Sequence, residues 1–277
     1  MRALTFACLT LTALAVTLSG RPARAAGTLT VFAASSLTES LQDMKPVFEK
    51  AHPGVELRLS FASSSQCRMQ IEQGAPADVF LLADTENMEP LVKAKLAEKP
   101  VIFAHNTLIV IVPKDNPAGI GSLGDLAKPG VKLITCAPKV PIGNYTRQVI
   151  DKMDASGRFG PDFKERVLAN IVSEEPNVKG IVGKVTLGEA DAAFCYVSDV
   201  TPPVKAQVQT IEIPEKMNAI ADYPIAVISA TANRELAQAF IEFVLSREGQ
   251  RILKNRGFIP ARPEKPSRTP TMRPKAK

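Results

Sequence analysis

Histidine and cysteine are scarce in this chain, and much of the chemistry open to a soluble protein needs one or the other. The two histidines are His52, in the turn Lys50-Ala51-His52-Pro53-Gly54, and His105, at the head of an apolar run. Without a G-x-S-x-G segment, nothing points to a Ser-His-Asp hydrolase built on a serine such as Ser36 or Ser64. Zinc-ligand spacing is missing too, since the chain has neither C-x-x-C nor clustered His. Beyond Cys8, the body carries Cys67, Cys136 and Cys195, an odd number that excludes a fully paired framework. Two readings stay open: three small buried thiols, or a Cys136–Cys195 disulfide in an oxidising compartment.

Positive charge is missing from where it would count. The formal charge is +6, but Arg2, Arg21 and Arg24 supply +3 at the N-terminus and residues 262–277 supply a net +5. The body between them is therefore at −2. No nucleic-acid partner is expected, because such binding depends on Lys and Arg neutralising phosphates. Any anion held by the body must be held by dipoles and geometry.

Long apolar runs are missing from the body as well. The one extended run, residues 4–18, falls short of the about 20 residues that span a bilayer. Preceded by Arg2 and followed by Ala23-Arg24-Ala25, it reads as a cleavable signal peptide over 1–25, which sends the chain to the periplasm. Cys8 lies inside the run rather than at its end, so lipid attachment is not indicated. At the other end, residues 262–277 are rich in Pro, Lys and Arg and read as a disordered basic tail.

What is there is an alternation of strand-like and helix-like segments. Leu29-Thr30-Val31-Phe32-Ala33, residues 55–61 and residues 78–83 read as strands; residues 65–73 and 86–96 read as helices, the latter capped by Asp84. A helix after Thr38 is expected to be kinked or shortened by Pro46. Residues 108–113 open a second set, with strands at 131–136 and 192–197 and helices at 145–153 and 178–187. The order argues for α/β architecture with mostly parallel sheets flanked by helices.

Four places in this pattern look like helix mouths offering free N–H groups and hydroxyls. They are Ala34-Ser35-Ser36-Leu37-Thr38, Phe61-Ala62-Ser63-Ser64-Ser65, Val140-Pro141-Ile142-Gly143-Asn144-Tyr145 and Glu174-Glu175-Pro176-Asn177-Val178. A helix start carries unpaired donors and roughly half a positive charge. Four converging on one cleft, beyond the carboxyl ends of the strands, would bind an anion with no Lys or Arg. Taken singly, Ser36 and Ser64 could equally be ordinary N-caps. Glu174 and Glu175 are expected to be solvated or structural, because anions repel anions.

These segments, with Gly74-Ala75-Pro76-Ala77-Asp78-Val79-Phe80, Tyr196-Val197-Ser198-Asp199 and Tyr223-Pro224-Ile225-Ala226, resemble in order and spacing the periplasmic molybdate-binding proteins of ABC transporters. The likeness runs from about Leu29 to Ile259. It implies a type II periplasmic binding fold of two lobes hinged by two crossing strands: 26–106 with 223–261 as lobe I, 107–222 as lobe II. It also implies a monomer that takes molybdate or tungstate, needs no cofactor, catalyses nothing and delivers its cargo to a membrane ABC permease. The ligand contacts so implied are the hydroxyl and N–H of Ser36 and of Ser64, the N–H groups of Ile142 and Val178, and the Tyr196 phenol, with Tyr196 expected at an exposed cleft position. A receptor for sulfate or another tetrahedral oxyanion, or an oxyanion sensor, remains the alternative.

Overall fold

The computed structural model describes residues 27–261; the expected signal peptide and basic tail lie outside the described residues. The chain opens with β1 (Gly27–Ala34), a 3-10 turn (Ser35–Leu37), α1 (Thr38–Ala51), β2 (Val55–Ala62), α2 (Ser64–Glu72), β3 (Val79–Leu81) and α3 (Met88–Lys93). The long β4 (Val101–Pro113) leads to β5 (Leu133–Cys136), α4 (Pro141–Ala155), α5 (Phe163–Ala169), β6 (Ile171–Glu175), α6 (Val178–Thr186), β7 (Ala192–Tyr196), α7 (Pro202–Lys205) and β8 (Val208–Ile211). Then β9 (Ile220–Val227) returns, followed by α8 (Arg234–Leu245), α9 (Arg247–Asn255) and β10 (Ile259–Pro260).

Two parallel three-stranded cores are joined by two long strands. In the first lobe β1 lies between β2 and β3, parallel to both. In the second, β5 lies between β6 and β7, again parallel to both. The first half of β4 pairs antiparallel with β9, from Val101↔Ile225 to Thr107↔Ile220, and its second half pairs with β7 and β8. β9 in turn reaches β3. β4 and β9 are thus the strands that cross between the lobes, and the fold is the two-lobed α/β architecture expected from the sequence.

Burial explains the arrangement. Leu29, Val31 and Ala33 of β1 are wholly buried, and α1 covers them with Leu41, Met44 and Phe48. The chain end returns to this lobe: the Phe240 ring of α8 meets Phe48 edge-on at 5.2 Å, and Arg256 grips Asp43 through two bonds of 2.6 and 2.8 Å. Pro46 does not break α1. It sits on the exposed face, where the carbonyl it leaves unpaired can reach water, while the buried stripe holds the helix.

Other local expectations need correction. The helix expected over 86–96 is only Met88–Lys93, because the chain turns at Lys95, whose φ of 58° is left-handed. Its N-cap is Asn87; Asp84 instead braces the turn before it through the Asn87 amide, at 2.7 Å. The helix expected from 145 begins four residues earlier, at Pro141. α5 and β6 occupy the polar stretch from which the sequence pattern had yielded no element. Cys67, Cys136 and Cys195 are all free and buried, so no Cys136–Cys195 bond forms.

Candidate anion site

The carboxyl ends of the six parallel strands face one another across a small cavity. It is lined by Ala34, Ser35, Ser36, Ser63, Ser64, Ala83, Val140, Pro141, Ile142, Asn177, Val178 and Tyr196. All five residues singled out from the sequence are among them. Among the described residues, no Lys, Arg, His, Asp or Glu lines it. Space for the centre of a water-sized body amounts to about 20 Å³. Roughly 10–15 Å³ admits one water, so the cavity suits a single compact guest.

In the first lobe the donors are set by strand ends and caps. β1 runs straight into the 3-10 turn that carries Ser36, and Ala34 at its start supplies no side-chain cap. The α2 cap is Ser63: its Oγ accepts the Gln66 N–H at 3.3 Å and its own N–H bonds Gln66 Oε1 at 3.1 Å. Neither Ser36 nor Ser64 is therefore an N-cap, which removes the ordinary structural reading of both. Ser64 Oγ accepts the Ala83 N–H at 2.9 Å, and Ser36 Oγ lies 2.9 Å from the Tyr223 phenol oxygen.

In the second lobe the donors are main-chain groups. Pro141 takes the first position of α4, where a missing N–H costs nothing, so Ile142 carries the first N–H of that helix. Gly143 follows because the helix start presses on the end of β5: a Cβ there would lie 2.3 Å from the carbonyl oxygens of Cys136 and Ala137. At α6, the Asn177 side chain caps the N–H groups of Lys179 and Gly180 at 3.0 and 3.2 Å. That leaves the Val178 N–H, one position earlier, uncapped. Asn177 belongs to the helix-mouth segment expected from the sequence, whereas Ala83 lies outside all four such segments.

Tyr196 differs from expectation in burial. It is 2 % exposed rather than open to the cleft, and its hydroxyl is a buried polar atom with no hydrogen-bond partner among the described residues. Such an orphan costs about 1–3 kcal/mol unless a guest satisfies it. Burial pushes the Tyr196 phenol well above its ordinary value, so it keeps its proton and can donate.

Charged groups stand around the cavity but pair with one another. Glu174 binds Arg147 and Glu175 binds Lys184, each at 2.6 Å. Lys179 of α6 reaches across to Glu39 of α1 through bonds of 2.9 and 2.7 Å, and stands 3.2 Å from the buried Asp199. Asn144 of α4 reaches Glu86, in the other lobe, at 2.6 Å. The Lys179–Glu39 and Asn144–Glu86 contacts hold the lobes together around the cavity. Neither histidine lines it: His52 bonds the Phe48 carbonyl, and His105 bonds Asp222 on the crossing strands.

A larger hollow of about 420 Å³ lies at the other end of the first sheet, beside Thr28, Asp78 and Asn233. Its one carboxylate, Asp78, is already bonded by the Thr30 N–H, Thr231 and Asn233. Among the described residues, no unpaired buried side-chain atom lines it. Size alone does not make it a site.

Known proteins share this fold. The family model of bacterial extracellular solute-binding proteins matches residues 29–259. The molybdate-binding protein ModA of Mycobacterium tuberculosis is 38% identical over 238 residues, 86% of each chain. Among solved structures, the periplasmic molybdate-binding protein of Azotobacter vinelandii superposes with a TM-score of 0.72 at 22% identity, over 84% of this chain and 100% of that one. The sulfate-binding protein SubI of Mycobacterium tuberculosis does so with a TM-score of 0.75 at 21% identity, over 86% and 88%. Backbone likeness is thus shared between receptors named for two different oxyanions.

Proposed function

The chain belongs to the bacterial extracellular solute-binding protein family, and from that premise we propose that it captures molybdate, or the similarly sized tungstate, between its lobes and delivers it to a membrane ABC permease. The observation that carries this reading is the neutral, all-donor cavity with the orphaned Tyr196 hydroxyl in its wall. Two serine hydroxyls, the main-chain N–H groups of Ser36, Ser64, Ile142 and Val178, and one phenol suit a small dianion that carries no proton. The name of the mycobacterial relative supports molybdate over sulfate.

In this reading lobe I comprises 26–106 and 223–261 and lobe II comprises 107–222. Residues 1–25 direct the chain to the periplasm, and the mature protein acts as a monomer. It is a carrier and not an enzyme, and it binds no nucleic acid. Closure is the signal to the permease, because ligand contacts come from both lobes and ligand shifts the open–closed balance.

Selection would rest on cavity size. Sulfate has shorter bonds than molybdate, so it cannot reach every donor of a fixed ring, and each buried donor left unpaired costs about 1–3 kcal/mol. Titration calorimetry with molybdate, tungstate, sulfate and phosphate tests this. Molybdate and tungstate are expected to bind at least about a hundredfold more tightly than sulfate. Equal or tighter binding of sulfate would make this a sulfate receptor. Retained molybdate uptake with a lost regulatory response in a deletion strain would make it a sensor.

A further inference from the structure

The Ser36 hydroxyl can serve a bound anion only if its proton points into the cavity, and the surrounding framework bears on which way it points. Tyr223, on the crossing strand β9, is fully buried. Its ring is wedged edge-on against Phe258 at 5.2 Å, Tyr196 at 6.0 Å and Phe103 at 6.2 Å, so its hydroxyl has little freedom to move. That hydroxyl sits 2.9 Å from Ser36 Oγ. Behind it, on the other crossing strand β4, stands the wholly buried Asn106. The Asn106 amide donates to Ser198 at 2.8 Å, and its carbonyl oxygen accepts the Thr107 N–H at 3.0 Å. An amide nitrogen has two hydrogens. The second is not used by these two bonds and faces the Tyr223 oxygen; burial drives the Tyr223 phenol upward, opposed by its side-chain bonds to Ser36 and then to Asn106.

We infer that Tyr223 is a positioning residue: it accepts from Asn106, gives its one proton to Ser36 Oγ, and thereby turns the Ser36 proton toward the cavity. The inference rests on the reading of that cavity as an oxyanion site. Ser64 has the same arrangement by other means, since its Oγ already accepts the Ala83 N–H at 2.9 Å. Both hydroxyls are loaded from behind by a framework donor and present hydrogens to the guest. A site so polarised accepts a bare dianion and disfavours one that carries a proton, such as monohydrogen phosphate. Asn106 and Tyr223 lie on the strands that join the lobes, so the specificity of the cleft is set partly by the hinge.

A double-mutant cycle tests this on the full mature chain by titration calorimetry with molybdate and with inorganic phosphate. Tyr223→Phe is expected to weaken molybdate binding about tenfold and to narrow the preference for molybdate over phosphate. Ser36→Ala is expected to lose at least as much. Because Tyr223 acts through Ser36, adding Y223F to S36A should change affinity less than about twofold. Losses that multiply in the double variant, or a Y223F protein that binds like wild type, overturn the relay while leaving the oxyanion site intact. A wild-type protein indifferent to molybdate overturns the proposed function and the relay together. Melting of each ligand-free variant checks folding. If Y223F does not fold, Asn106→Ala carries the same cycle with a loss of several fold, and multiplicative losses there overturn the relay equally.

Discussion

The two lobes share one topology and reach their donors by different chemistry. In each, the first parallel strand lies between the second and third, and the carboxyl end of each strand meets the cavity. β1, β2 and β3 lead to Ser36, Ser64 and Ala83; β5, β6 and β7 lead to Ile142, Val178 and Tyr196. The first lobe presents hydroxyls that are each tied to the framework, Ser36 to the Tyr223 phenol and Ser64 by accepting the Ala83 N–H. The second presents main-chain N–H groups at the starts of a 15-residue and a 9-residue helix, plus one phenol. Strand order decides where donors stand, and residue type decides what they are made of. A site built of hydroxyls depends on side-chain identity; a site built of N–H groups depends on backbone path.

The first way to break this comparison is to remove the hydroxyls. A hydrogen bond to a charged group contributes about 1.5–3 kcal/mol, so Ser36→Ala with Ser64→Ala should weaken molybdate binding roughly a hundredfold to ten-thousandfold. Calorimetry checks this. A loss under tenfold would mean that the first lobe does not hold its guest through serines.

The third strand of each lobe ends near a buried acid, and the two acids are managed differently. Asp199, beyond β7, is pushed up by burial while the neighbouring Lys179 acts against that. Asp84, beyond β3, has no such cation in contact; burial pushes it up to about 6, opposed by its bonds to Asn87. The folded chain therefore binds a proton that the unfolded chain has released between its ordinary value of 3.8 and about 6. Stability from this group is present below that window and lost as pH rises through it, by on the order of 3 kcal/mol. Asp84→Asn should remove the fall. Urea midpoints of ligand-free protein at pH 4.5 and 7.5 are expected to rise in the variant much more at the higher pH than at the lower. A parallel shift at both would show that Asp84 is not the titrating group.

Much of this arrangement is legible in the sequence, because caps and periodicity are local. Pro141 before Ile142 and Asn177 before Val178 mark helix starts whatever the rest of the chain does. Strand and helix alternation gave the parallel cores, and the family resemblance supplied Tyr196. What could not be read depends on distant contacts. Ser36 meets Tyr223 from 187 positions away, and Glu39 meets Lys179 from 140. The burial of Tyr196 is set by neighbours on both lobes, including Tyr145 and Tyr223. α3 is shorter than its pattern predicts because a lysine such as Lys95 does not announce a left-handed turn. β6 carries no strand signal because Ile171-Val172-Ser173-Glu174-Glu175 is an edge strand with no fully buried residue and two of its five exposed.

The sharpest use of the comparison is a pair of substitutions in the second lobe that separate the N–H from the side chain. Val178 opens α6, a position where proline keeps the helix, removes the hydrogen and exchanges one buried side chain for another of similar size. Asn177 before it is extended, at φ −161° and ψ 172°, as a residue preceding proline should be. Val178→Pro should therefore cost one charged hydrogen bond, a ten- to hundredfold loss of molybdate affinity, with the melting temperature little changed. Ile142→Val makes the converse change: it trims a buried side chain, 1 % exposed, and leaves the N–H in place. It should lower stability by about 0.5–1.5 kcal/mol. Its effect on affinity should be the smallest of all, under about twofold, because the ligand meets the main chain and not the methyl groups. If V178P binds as wild type while I142V does not, the second lobe selects by shape rather than by donors, and the contrast between the lobes fails.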